Sequence, residues 1–259
     1  MASEEIVTTA KGRMENLKSM LERAKPSMAA VIPRHLTPER MIKLALVAAS
    51  RTPKLLQCTP ASVVQAVMTA SQLGIDVGGS LGAGYIVPYG DQAQFIIGYR
   101  GLIELARRSG QILGIEARVV HEKDVFEFEY GLHPKLRHVP SSDPEPGKTI
   151  FAYAIAQMKD SDPQLEVMGL SQLEGIRKRS KAANNGPWIT DTDEMYRKTV
   201  VRRLCKYLPL SVDLQTALEL EDRAEKGEQT AIDVDLVPEP DEPESRVESL
   251  KAKLTEVTA

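Results

Sequence analysis

Cysteine is nearly absent: Cys58 and Cys205 are the only two in 259 residues. They are too far apart to form a CxxC redox pair or a zinc knuckle, so a disulfide framework and cysteine-based metal chemistry are excluded. The sequence also has no apolar run approaching the ~18 residues that a membrane-spanning helix needs, and no apolar leader. The expectation is a reduced, cytosolic chain that neither crosses a membrane nor is exported. The glycine-rich stretch GIDVGGSLGAG at 74–84 has no Lys-Ser/Thr after its last glycine, and Gly82 and Gly84 are not followed by the third glycine of a dinucleotide fingerprint. It reads as turns and close backbone approach, and no nucleotide cofactor is expected.

Charge is plentiful but unevenly placed. The net charge of −3 conceals an acidic end, because residues 219–259 hold 13 acids and 5 bases. Residues 1–218 therefore carry +5, and a basic body with an acidic tail marks a polyanion binder with a separate interaction segment. The densest basic stretch is 177–206, with nine bases and three acids. It contains the loop KAANNGPW and then a helix predicted over 192–208, stopped by Pro209. Turned at about 100° per residue, Lys198, Arg202, Arg203 and Lys206 fall on one arc, and Tyr196, Val200, Val201, Leu204, Cys205, Tyr207 and Leu208 on the other. Arg197 lands on the apolar side and must snorkel or find an acid. Asp191 and Glu194 have the spacing of a capping box. No acid occurs between Glu194 and Asp213, so the cations read as an open rail rather than a face charged for solubility.

The other elements follow in order. Residues 1–30 read as a loosely docked amphipathic helix or arm. Thr37-Pro38 and Thr59-Pro60 open two helices, the second stopped by Gly74. Residues 84–88 and 93–97 form a hairpin about Gly90-Asp91. The chain then passes through Gly98-Tyr99-Arg100-Gly101 into a helix ending in Arg107 and Arg108, which complement its C-terminus. Strands are predicted at 112–121, 125–130, 150–158 and 165–168. Ser171 with Glu174 spells a second capping box, opening a helix that carries Arg177, Lys178, Arg179 and Lys181. A helix over 211–226 leads into the proline-acid linker VPEPDEPES. Val247, Leu250, Leu254 and Val257 then share one helical face, which reads either as a short docking helix for a partner protein or as a frayed, solvated terminus.

Several ordered stretches, IPRHLTPERM, SQLGIDVGGSLGAGYIVPYG, FIIGYRGLIELARRSGQI, AANNGPW and EMYRKTVVRRLCKYLP, resemble the RecT family of phage and prophage single-strand annealing proteins. The resemblance covers roughly residues 31–210. It implies an α+β fold with a small curved antiparallel sheet packed with helices, similar to Rad52-type annealing cores. It also implies ATP-independent binding of single-stranded DNA, pairing of complementary strands through an annealed duplex intermediate, and a homo-oligomeric ring or helical filament in the host cytoplasm. The expected organisation is an N-terminal helical arm at 1–30, a DNA-binding core at 31–226, and an acidic tail at 227–259 for a partner such as an exonuclease or a single-strand-binding protein.

Annealing requires two polyanions to be neutralised while their base edges stay free, so phosphate contacts carry it. The expected DNA-binding residues are Tyr99, Arg100, Arg107, Arg108, Lys178, Arg179, Lys181, Asn184, Asn185, Trp188, Lys198, Arg202, Arg203 and Lys206. On this reading, removing Lys198 and Arg202 weakens DNA binding and leaves the fold intact. With only twelve aromatic residues, a protein that stacks every base is disfavoured. Trp188 fits a core plug slightly better than a base stacker. Two rivals stand beside this reading: a metal-dependent nuclease using Glu127 and Glu129 on one strand face, and a passive nucleic-acid scaffold using the same rail.

Overall fold

The structure, a computed structural model, describes residues 9–78, 82–180, 183–184, 186–209 and 211–226. The acidic linker, the docking helix expected at 247–257, Lys181 and Asn185 lie outside the described residues.

The first half is a helical layer. Helix α1 (Ala10–Val31) starts at Thr9, whose Oγ1 accepts the Gly12 N–H. It is not the loosely docked arm expected: Leu17, Met20, Leu21, Ala24 and Met28 are buried against α2 (Pro38–Arg51) and α3 (Pro60–Leu73). Thr37 caps α2 as read, accepting the Arg40 N–H at 3.3 Å. Thr59 makes no such cap on α3. Its hydroxyl turns to Gln92 instead, while Ser62 Oγ accepts the Ala93 N–H at 2.9 Å, so the start of α3 is tied to a strand. Gly74 ends α3 in the left-handed region, φ +63°, which a side chain would resist.

Strands β1 (Gly84–Tyr89) and β2 (Gln92–Ile97) form the predicted hairpin, with Gly90 at φ +63° in the turn. Helix α4 (Tyr99–Arg108) follows. A three-stranded antiparallel sheet has the order β3 (Ile112–His121), β6 (Thr149–Met158), β7 (Gln164–Gly169). Strands β4 (Val125–Glu129) and β5 (Lys135–Val139) pair only with each other. The fold is therefore α+β, but the single sheet expected is three small antiparallel ones. The β4–β5 hairpin joins the larger sheet by side chains instead of backbone ladders. Phe126 stacks on Tyr153 with ring centroids 5.5 Å apart, and packs on Phe151 at 5.4 Å. Among the described residues, no helix is long and apolar enough to cross a membrane.

One buried carboxylate fixes the hairpin's base. Asp124 accepts the His121 and Ser141 N–H groups, each at 2.8 Å, and bonds to His138 Nε2 at 3.0 Å. Burial pushes its pKa up, but these donors outweigh burial and bring it down to about 2. A carboxyl lowered on folding stabilises above its unfolded pKa, and that contribution is lost as pH falls through the folded value. Asp124→Asn is expected to cost about 2 kcal/mol at neutral pH, from charge-assisted hydrogen bonds lost. The gap from wild type should close between about pH 4 and pH 2. Urea unfolding across that range checks it, and a gap independent of pH would contradict it.

Helix α5 (Leu170–Arg179), the short α6 (Pro187–Thr190), α7 (Thr192–Cys205) and α8 (Val212–Lys226) complete the fold. Helix α7 is central. Tyr196, Thr199, Val200, Val201, Leu204 and Cys205 are buried on its inner face, and the helix packs on all three strands of the larger sheet and on α4, α5 and α6.

Candidate nucleic-acid interface

The corner between β2 and α4 is built by glycines that leave room for backbone. A Cβ on Gly98 would lie 2.1 Å from the Gly82 carbonyl oxygen, and one on Gly101 would lie 2.3 Å from that of Ala83. The Gly98 N–H donates to the Ala83 oxygen at 2.9 Å, which closes the loop against the helix start. Between those two glycines, Tyr99 is half-buried and Arg100 is exposed. Tyr99, and more weakly Glu194, push the Arg100 guanidinium further up in pKa. At the other end of α4, Arg107 is exposed, but Arg108 is engaged in the fold. Its guanidinium donates to the Leu73 oxygen at 2.6 Å, the Gly74 oxygen at 2.7 Å and Glu104 at 2.6 Å. Arg108 thus caps the last carbonyls of α3 in addition to complementing its own helix.

The rail on α7 is present, but it is covered. Lys198, Arg202 and Lys206 lie at i, i+4 and i+8, a line about 12 Å long at 1.5 Å per residue. Each faces an acid of α8. Lys198 Nζ pairs with Glu221, while Asp222 takes Arg202 at 2.7 Å and Lys206 at 3.1 Å. Arg203 turns to the sheet and pairs with Glu166 of β7 at 2.7 Å. Burial pushes the Glu166 carboxyl up, and Arg203 opposes that. The open rail read from the sequence is therefore corrected: its acids come from the next helix and from a strand. Helical periodicity separates the polar face of α7 from the apolar one, but says nothing about what packs over the polar face.

The two acids of α8 differ. The Glu221 side chain is 2% exposed, and its Oε2 has no hydrogen-bond partner; Asp222 is 38% exposed. A signal for Glu221 was present in the sequence. Leu214, Ala217 and Leu218 set an apolar stripe at helical spacing, and position 221 continues it with a carboxylate, which demands a buried cation.

Trp188 is 3% exposed and packs edge-on against Tyr196, with centroids 6.3 Å apart. It is the core plug, and its ring is not presented for stacking on bases. Asn184, Lys178 and Arg179 are exposed. Arg177 is not among the free cations, since it donates to the Ala183 oxygen at 3.0 Å and pairs with Glu174. Glu174 also accepts the Tyr196 hydroxyl at 2.5 Å, and burial together with that carboxylate pushes the phenol up to about 12. Neither expected capping box forms. Glu194 pairs with Arg197 and Asp193 accepts from Thr149, which leaves α7 without a side-chain cap. Helix α5 starts two residues early, with Gly169 in place of Ser171 as N-cap and Gln172 accepting the Gly169 N–H at 3.1 Å.

The carboxylates read as a possible metal pair are matched by bases across the hairpin. Glu127 lies opposite Arg137 and Glu129 opposite Lys135, at 3.8 and 3.4 Å. Among the described residues, no group of three or more His, Cys, Asp or Glu is arranged to hold a metal ion.

Comparison with known proteins adds an independent line. The sequence profile of the RecT family matches residues 39–234. The chain is 46% identical to Protein RecT of Escherichia coli (strain K12) over 207 residues, 77% of each chain. It is also 31% identical over 173 residues to Uncharacterized protein YqaK of Bacillus subtilis (strain 168), covering 65% of this chain and 59% of that protein.

Proposed function

The chain belongs to the RecT family and is a single-strand annealing protein of DNA recombination, and from that premise we propose that it pairs strands without ATP by holding their phosphates on a track of exposed cations. The track comprises Arg100 and Arg107 on α4, Lys178 and Arg179 at the end of α5, and Lys206 at the end of α7, with the half-buried Arg202 and Arg203 behind them. Tyr99 and Asn184 add hydrogen bonds to phosphate or sugar. Lys181 and Asn185 belong to the same proposed surface by sequence. Lys198 and Trp188 are withdrawn from it, and Arg108 serves mainly the fold.

The observation that carries this reading is the exposure of the cations: Arg100, Arg107, Lys178, Arg179 and Lys206 face solvent, while Tyr153, Trp188 and Tyr196 are buried. Not every ring is withdrawn, since Tyr85, Tyr89, Phe128, Tyr130 and Tyr207 are exposed, and Tyr207 directly follows Lys206. Neutralising phosphate with cations leaves base edges available, which suits a protein whose task is to let bases find each other. No bond is made or broken, so no catalytic residue is assigned.

The helices and small sheets form a core of the kind found in Rad52-type annealing proteins, and neighbouring copies in a ring or helical filament extend the track beyond one protomer. Residues 9–226 act as one annealing body in the bacterial cytoplasm. Residues 227–259 dock an exonuclease or a single-strand-binding protein.

Arg100→Ala combined with Lys206→Ala tests the track. Single-strand affinity is expected to fall about tenfold near 0.1 M salt, and the slope of log K against log salt to flatten by about 1.4, two phosphate contacts at ~0.7 each. A folded double variant with unchanged affinity and slope would remove these residues from the interface.

A further inference from the structure

The covering of Arg202 and Lys206 by α8 has a chemical form that resembles their proposed ligand. One carboxylate, Asp222, bridges both cations at 2.7 and 3.1 Å, as a phosphate with two free oxygens would. We propose that Asp222 is an internal phosphate mimic, which occupies the cationic track in the free protein and is displaced by a phosphate of bound single-stranded DNA. The proposal rests on the track described above and adds how its affinity is set.

The neighbouring residues make this an exchange of side chains. Leu214, Ala217, Leu218 and Leu220 are buried, and Glu221 is held by Lys198, so α8 stays docked while Asp222 turns outward. Asp222 is 38% exposed and Lys206 47%, so both already meet solvent. An incoming phosphate therefore meets a screened Lys206 pair first, which is weak, and then the Arg202 pair, whose guanidinium is 16% exposed. Three cations of α7 face two carboxylates of α8, and the surplus positive charge draws the strand in before exchange occurs. Isolated anions are thereby disfavoured, and a strand contacting the rest of the track at the same time gains the site.

Anisotropy of labelled oligo-dT at fixed salt, with full-length protein, tests this. Asp222→Asn is expected to tighten binding about fivefold, the upper range for an exposed ion pair. Asp222→Glu, which keeps the charge, is expected to bind within about twofold of wild type. In an Arg202→Ala/Lys206→Ala background, which itself should bind more weakly, Asp222→Asn is expected to give no tightening. Melting temperatures report folding, and Asp222→Ala supplies a second neutral variant. Weakening by the double cation variant without tightening by either neutral variant overturns the mimic and leaves the track standing. Tightening that persists in the double cation background assigns the effect to overall charge and also overturns the mimic. No weakening by the double cation variant removes Arg202 and Lys206 from the track, and the mimic with them.

Discussion

Lys198→Ala is expected to destabilise the protein by about 3–5 kcal/mol, because it leaves the Glu221 carboxylate buried with no cation. Glu221 is 2% exposed, and one of its oxygens already lacks a hydrogen-bond partner, so the pair is buried and water does not replace the lysine. The reciprocal change, Lys198→Met with Glu221→Leu, removes both charges and keeps the volume, and should come within about 1 kcal/mol of wild type. Urea unfolding of the three proteins reads this directly. A loss under about 1 kcal/mol for Lys198→Ala, typical of an exposed pair, would return Lys198 to the surface rail that the sequence first suggested.

Gly98→Ala is expected to be equally damaging for a different reason. The φ of Gly98 is −80°, which any residue adopts, so backbone freedom is not at stake. Space is: the new methyl would stand 2.1 Å from the Gly82 carbonyl oxygen, a backbone atom that cannot rotate away. The loop and α4 must part, at about 3 kcal/mol or more by analogy with overpacked cores, and Arg100 moves with them. Gly175→Ala is the control. That glycine lies inside α5 with nothing within 4 Å of its would-be Cβ, and the change should stabilise by about 0.5–1 kcal/mol. Similar melting temperatures for the two variants would contradict the steric account of the corner.

These two cases also mark what was legible beforehand. The apolar face of α7, the hairpin about Gly90 and the stop at Gly74 follow from local patterns, and the structure has them, except that the helix ends at Cys205 and Tyr207, read on its apolar face, is exposed. The resemblance to the RecT family was carried by motifs in order along the chain, and the family match confirms it. What local pattern does not contain is the partner of a polar group. The glycines of the FIIGYRGL motif mark a strand-to-helix corner, but they do not tell that Gly98 and Gly101 leave room for the protein's own loop. Arg108 reads as a helix-dipole charge, yet its donors reach back to α3. The acids that cover the α7 rail lie on α8 and β7, outside the helix whose periodicity defines the rail. Capping spacings at 171–174 and 191–194 were diverted, Glu174 to Tyr196 on another helix and Glu194 to Arg197 one turn along its own.

The central claim is that exposed cations hold strands while their bases pair. The most direct measurement is fluorescence-monitored annealing of two complementary oligonucleotides, added in sequence to the protein without ATP and with a chelator present. Wild-type protein should accelerate pairing, and Arg100→Ala/Lys206→Ala should lose most of that acceleration while remaining folded. Binding of both strands with no acceleration by the wild type would contradict the account and leave a passive cationic scaffold.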